Sequence, residues 1–382
     1  MSKDFLQTVT VKKVKKEIRN ICDSYSNPWD IFAELAQNSI DAIKKWENLY
    51  SNSLLNDNKK HKIIITIDRH NRSIVIEDTG VGFNPSTASS FLAPNNGDKD
   101  EDDSLIGEKG VGLTFTIFSS NGFKLETKSV EGDYFAEIKN AKVWRDNNDF
   151  SSNSVPQILN EKSSTAKNDP NTTYTKIELE DLESNYENTD MDFFRMSKER
   201  ILFYLRTKTA IGSTKKRFQN IDLNIDIILN IRNNNIIEEK EILIKPEYLF
   251  LDEYFKKDDI VDLIEYEKIA GRLSDLKKRK HLQNKCLKME GNEGKYRYFC
   301  FFVYSTDVWS RISNEYKLYI EHDGEIINDI THFLTVSTKG MPTGFEVPPP
   351  VSGAAGYWNN MYAIIEYDNI CFDLGRKYPE SV

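Results

Sequence analysis

Three short polar side chains, Glu34, Asn38 and Asp41, stand at offsets of four and seven residues inside IFAELAQNSIDAIKKW, residues 31–46. On a helix those offsets place a carboxylate, an amide and a second carboxylate on one stripe, with Ile31, Leu35, Ala42 and Ile43 around them. A second group follows in IEDTGVGF, where Asp78 ends an apolar run and Gly80 and Gly82 come directly after. A carboxylate at a strand end could hold an amine-bearing ring there, because glycine lets a flat group approach the backbone. An Asp-Thr-Gly turn closing a hairpin accounts for the same residues.

The third group is IGEKGVGL, in which Gly107, Gly110 and Gly112, with Lys109 and Val111 among them, precede an apolar, helix-compatible run. Backbone N–H groups at a helix N-terminus could cradle phosphates at such a place. A P-loop needs G-x-x-x-x-G-K-[ST], which does not occur, and the dinucleotide pattern G-x-G-x-x-G has the reverse spacing. A glycine loop without a ligand remains the alternative.

The elements that must position these groups follow from periodicity and breakers. TVKKVKKEIRNI reads as a helix before the break at Asn27-Pro28, and a second helix is predicted from about Asp30 to about Tyr50. KIIITID (62–68) and SIVIED (73–78) form a predicted hairpin around His70-Asn71, and GFKLETKSV with YFAEIKNAKVW a second one. Residues 146–172, rich in Asn, Ser, Asp and Lys, read as an insertion or flexible loop, after which TYTKIELE returns as a strand. DFFRMSKERILFYLRTKTAIG (192–212) reads as a helix closing a first domain. Strand-like runs resume at 221–231 and 295–306, then in YKLYIEHDG, THFLTVST and MYAIIEYDNICFDL. The expected organisation is a basic segment 1–28, a first domain 29–212 and a second α+β domain 213–382.

A chain of 382 residues with 39% apolar and 12% aromatic residues can build two cores. The 51 basic and 60 acidic residues leave a net charge of −9, so the molecule as a whole is not drawn to nucleic acid or anionic membrane. Basic clusters at Lys12, Lys13, Lys15 and Lys16, at Lys215 to Arg217 and at Lys277 to Lys280 read as solvated faces. Four scattered cysteines show no metal-ligand or disulfide spacing. With no signal-like or membrane-length apolar run, the expectation is a cytoplasmic protein without membrane contact.

The order of the three groups resembles the GHKL ATPase superfamily, which includes gyrase, the heat-shock 90 chaperones, histidine kinases and MutL. ELAQNSIDA matches its first box, DTGVGF its second and GEKGVGL its third; the fourth, usually Gly-Thr before a strand, is present as Thr172-Thr173. The resemblance covers roughly residues 28–180 and implies an α+β chain. Its first domain would be a Bergerat-type α/β sandwich with a mixed sheet and helices on one face, followed by a transducer-like domain. It implies ATP and Mg²⁺ as cofactors, with Asn38 as the metal ligand. Glu34 would activate the attacking water, Asp41 orient its neighbours beside Ala42, Asp78 accept the adenine amine and Thr173 support Asp78. Gly80 and Gly82 would line the base. Gly107, Lys109, Gly110, Val111 and Gly112 would face the phosphates as part of a lid spanning about 92–112.

No histidine precedes Glu34, and ELAQNSIDA is closest to the gyrase, MutL and MORC type of box, so the expectation is the dimerising branch. Its transducer sends a lysine to the γ-phosphate. Lys377, beside Arg376 in FDLGRKYP, is the first candidate and Lys339 in VSTKGMPTG the second. The function expected is ATP-driven lid closure and homodimerisation, as a switch or clamp in bacterial defence, including antiviral defence, or DNA processing. The chain stops soon after Lys377, which points to a missing C-terminal effector domain or an unidentified protein partner; nucleic acid is a further candidate partner. A chaperone-like ATPase acting on protein clients and a non-hydrolysing nucleotide-dependent module are the alternatives.

Overall fold

The computed structural model describes residues 10–50, 59–94, 111–151, 154–182, 189, 191–214, 223–270, 280–322, 325–328, 333–338, 341–342 and 360–367. The chain divides into two compact units, Met1–Glu187 with Leu223–Ile244, and Asn188–Asp222 with Lys245–Val382. Both are α+β.

The first unit opens with two helices, α1 (Val11–Ser24) and α2 (Asp30–Tyr50). The Thr10 hydroxyl caps α1, accepting from the Lys13 N–H. Asp30 ties down the break before α2, its carboxylate accepting from the Asn27 N–H at 2.7 Å and the Asn27 amide at 3.2 Å. The first hairpin follows as β1 (His61–Asp68) and β2 (Ser73–Asp78), then the short helices α3 (Ala88–Phe91) and α4 (Gly112–Phe118). The second hairpin is β3 (Gly122–Ser129) and β4 (Gly132–Lys139), followed by α5 (Ala141–Asp146), β5 (Ile158–Ser164) and β6 (Tyr174–Glu180).

Two of these elements differ from the sequence reading. AKVW does not continue β4: Asn140 turns left-handed at φ 60°, the amides of Asn140 and Lys142 bond back to residues 121 and 120, and α5 begins. The stretch 146–172 contributes an edge strand, β5, antiparallel to β4, with side chains largely exposed.

After α6 (Lys198–Thr207), in the second unit, β7 (Ile225–Asn233) and β8 (Ile236–Ile244) return to the first sheet. The sequence reading placed this stretch beyond residue 212 in the second domain. β7 instead runs parallel to β1, with Ile63, Ile65 and Ile67 beside Ile227, Leu229 and Ile231. The sheet order is β5-β4-β3-β6-β2-β1-β7-β8, all antiparallel except β1 with β7. Alternate residues of each central strand are buried: Ile63, Ile65 and Ile67; Ile74, Ile76 and Asp78; Ile177 and Leu179. Period-two burial gives the sheet one covered face, and α2, with Phe32, Leu35, Ala36, Ile40, Ile43 and Trp46 buried, is part of that cover.

The second unit adds β9 (Ile260–Asp262), α7 (Leu263–Ala270), β10 (Cys286–Glu293), β11 (Tyr296–Phe302) and α8 (Thr306–Glu315) to α6. β12 (Tyr319–His322) and β13 (Glu325–Asn328) form a hairpin; β14 (Phe333–Thr338), β15 (Met341–Pro342) and β16 (Met361–Tyr367) complete a six-stranded sheet of order β15-β14-β16-β11-β10-β9. Phe299, Phe301, Tyr362 and Ile364 are buried in its core. The helix read over 192–212 is only α6, capped by Ser197, with a 3₁₀ turn after it.

Candidate functional site

The candidate residues of the first unit gather where α2 passes the end of β2. Asp78 is the last residue of β2, opposite Ile63 of β1 and Thr175 of β6, so a carboxylate sits inside the sheet rather than at its margin. It is 4% exposed. The Gly80 N–H donates to its Oδ1 at 2.9 Å, and the Ser39 hydroxyl on α2 is a further donor. Burial nevertheless dominates and pushes the carboxyl up to about 7; Glu77 adds to the rise, while the two hydrogen bonds and the Lys59 charge oppose it.

The glycines after Asp78 have protein neighbours of their own. A side chain on Gly80 would meet the carbonyl carbon and Cβ of Ala42 at 2.6 Å, and the Val81 N–H bonds to the Ala42 carbonyl at 3.2 Å. Gly82 turns at φ +72°, and a Cβ there would overlap the Lys128 carbonyl. Both glycines therefore serve close packing of the loop onto α2 and β3, a role the sequence reading did not give them. Thr173, buried just ahead of β6, donates to the Gly80 carbonyl at 2.6 Å and lies 2.9 Å from the Pro170 carbonyl. Its hydroxyl thus holds the loop backbone at Gly80, the residue whose N–H is bonded to Asp78.

On α2 the polar stripe passes from closed to open. Glu34 is 3% exposed, Asn38 is exposed between buried Gln37 and Ser39, and Asp41 is buried again. Tyr25 donates its hydroxyl to Glu34 Oε1 at 3.2 Å. The other edge of that carboxylate lies against Gly112, where an added Cβ would overlap Oε2. Val111 and Gly112 thus stand at the start of α4 beside Glu34. Gly107, Lys109 and Gly110 lie outside the described residues, as do Lys339, Arg376 and Lys377.

Several residues near the site gave no signal in the sequence reading. Thr127 on β3 accepts from the Phe83 N–H at 2.9 Å and donates to the Tyr174 carbonyl, fixing the loop beyond Gly82. Lys59 donates to the carbonyls of Thr79 at 3.0 Å and Pro170 at 3.3 Å, and its ammonium lies 4.3 Å from the centre of the Trp46 ring. Burial pulls Lys59 down to about 8 and His61, edge-on to Trp46, down to about 4. Trp46 Nε1 donates to the same Pro170 carbonyl at 2.8 Å.

Among the described residues no three His, Cys, Asp or Glu side chains converge on a metal position, and no helix is long and apolar enough to cross a membrane. No family model matches the chain. Part of it is similar to proteins named Chaperone protein HtpG. The one from Rickettsia typhi is 36% identical over 103 residues, 23% of this chain and 17% of the relative. That of Fusobacterium nucleatum is 31% identical over 134 residues, 31% of this chain and 22% of the relative. That of Francisella tularensis subsp. novicida is 29% identical over 123 residues, 28% and 20% respectively. The matched part spans about a fifth of the length of these relatives. Such matches support kinship with the GHKL superfamily and carry nothing for its MutL and MORC branch.

Proposed function

We propose that the first unit binds ATP with Mg²⁺ and hydrolyses it. The observation that carries this reading is Asp78, a carboxylate buried at the end of a central strand and pushed up to about 7 by burial. An amine donor arriving at that carboxylate returns to it part of what burial removed, which is what the adenine amine offers. Guanine presents a carbonyl there, so the site favours ATP over GTP.

Asn38, exposed on α2, offers one amide oxygen, the kind and number of protein ligand that a phosphate-bound Mg²⁺ accepts. When bound, Mg²⁺ supplies charge neutralisation at the phosphates. Glu34, one turn earlier on the same helix, orients and deprotonates the attacking water. Asp41 orients neighbours on α2, and Thr173 keeps Gly80 against Ala42. Gly107 to Gly112 with Lys109 would face the phosphates as part of the lid expected over about 92–112, of which 95–110 lie outside the described residues. Lys377, with Lys339 as the second candidate and Arg376 beside the first, would sense the γ-phosphate from the second unit, read as transducer-like without β7 and β8, which belong to the first sheet. Closure favours a homodimer in the cytoplasm.

For the output of the cycle, the likeness to Chaperone protein HtpG supports a chaperone-like ATPase acting on protein clients. A MutL- or MORC-type clamp in defence or DNA processing is the second reading, from the first-box sequence ELAQNSIDA. Calorimetric titration with ATP and GTP, and hydrolysis with and without Mg²⁺, test the common core. ATP binding preferred over GTP, with Mg²⁺-dependent turnover, is the expected result; equal affinity for the two, or none, overturns the adenine assignment. Salt-dependent copurification of nucleic acid separates the clamp from the chaperone.

A further inference from the structure

The residue that touches Glu34 comes from the chain just ahead of α2. Tyr25 follows the last turn of α1, is 7% exposed, and gives its hydroxyl to Glu34 Oε1 at 3.2 Å. Its ring is stacked on Phe115 of α4, centroids 3.9 Å apart and planes 10° from parallel. Two independent contacts therefore fix one side chain, a ring clamped by α4 and a hydroxyl aimed at α2.

α1, which delivers Tyr25, is itself anchored. Lys15, fully buried, donates to the Asn147 carbonyl and side chain at 3.2 and 2.8 Å and to the Asp149 carbonyl at 2.6 Å, and its ammonium lies 4.4 Å from the centre of the Trp144 ring. Arg19, one turn later, reaches the carbonyls of Arg145 and Asn147 at 2.7 and 2.8 Å. Those carbonyls belong to the end of α5 and the residue after it, where cations are favoured. Lys15 and Arg19 thus hold α1 against α5, and α1 holds Tyr25 over α2.

We propose that Tyr25 is a positioning residue for Glu34: its hydroxyl fixes one carboxylate oxygen and so holds the other toward Gly112 at the start of α4. The inference rests on Glu34 acting as the water-activating base. Without the hydroxyl the carboxylate loses one of the contacts that aim it, a loss that matters to a general base and hardly at all to nucleotide affinity.

The test uses the full chain. Tyr25→Phe keeps the ring on Phe115 and removes only the hydroxyl, so the stack controls for packing. The expected result is a fall in kcat of roughly 10-fold or more, with ATP affinity and melting temperature close to wild type. Unchanged kcat overturns the proposal, as does a parallel loss of kcat, ATP affinity and melting temperature, which marks a packing role. Glu34→Ala, measured alongside, separates the two levels. If it abolishes turnover while Tyr25→Phe is silent, only the role of Tyr25 falls; if Glu34→Ala or the wild type shows that Glu34 drives no hydrolysis, the functional reading falls and takes the Tyr25 role with it.

Discussion

Asp78→Asn should make the protein more stable near pH 8 while removing its affinity for ATP. Asn keeps an oxygen to accept the Gly80 N–H and an amide that the Ser39 hydroxyl can meet, but carries no charge. Burial lifts the Asp78 carboxyl from the usual 3.8 to about 7. That rise, about three pH units at ~1.4 kcal/mol each, means on the order of 4 kcal/mol of lost stability once the group is ionised. Burying the Asn amide recovers less than the whole, since an imperfectly paired amide costs about 1–2 kcal/mol, so a gain of about 2 kcal/mol at pH 8 is expected. The sign follows from proton binding: between about pH 4 and pH 7 the folded state holds a proton that the unfolded chain has released, so wild-type stability from this group falls as pH rises through that window. The mutant lacks that slope. Urea denaturation at pH 4.5 and pH 8, with ATP titration at the upper pH, is the assay. The gain should be absent at pH 4.5 and present at pH 8, with ATP affinity down by ~2–3 kcal/mol from the lost charge-assisted bond. A mutant no more stable than wild type at pH 8 would refute the claim that the carboxylate is held at a cost, and near-normal ATP affinity would refute its assignment to adenine.

Gly80→Ala places a methyl group 2.6 Å from the Ala42 backbone, so it should lower stability by about 1–3 kcal/mol and weaken ATP binding; Ala42→Gly should not restore it, because the backbone carbonyl carbon is equally close. Thermal melting of the single and double mutants checks this. Thr173→Val strips the buried Gly80 carbonyl of its donor and should cost about 1–2 kcal/mol, whereas Thr173→Ser should be nearly neutral; denaturant midpoints with ATP titrations tell them apart.

What could be read before the structure follows from local rules. α2 and the hairpin β1–β2 announce themselves by an apolar period, a Pro-Asp start and a turn between β-branched runs, all of which lie within about twenty residues of chain. The pairing of β7 with β1 joins segments more than 150 residues apart and has no local signature, so Ile225–Ile244 looked like part of the second half. α5 was hidden because VW after a strand reads as more strand, and only the left-handed turn at Asn140 reverses the chain. At the site, side-chain types and spacing were legible for Glu34, Asn38 and Asp78, but the partners were not. That Gly80 yields to Ala42, that Thr173 holds Gly80 and that Tyr25 reaches Glu34 are products of tertiary packing, which spacing along one helix or strand does not encode.

In the proposed function α2 carries the base for ATP hydrolysis, Glu34, one turn from Asn38, the amide proposed to face the metal. Single-turnover hydrolysis of Mg²⁺-ATP by Glu34→Ala, at protein concentrations above the measured ATP dissociation constant, tests it most directly. The expected result is ATP affinity within a few-fold of wild type and turnover lower by roughly 10²-fold or more, the scale of a lost general base. Wild-type turnover in Glu34→Ala would contradict it and leave Glu34 as a buried helix residue bonded to Tyr25.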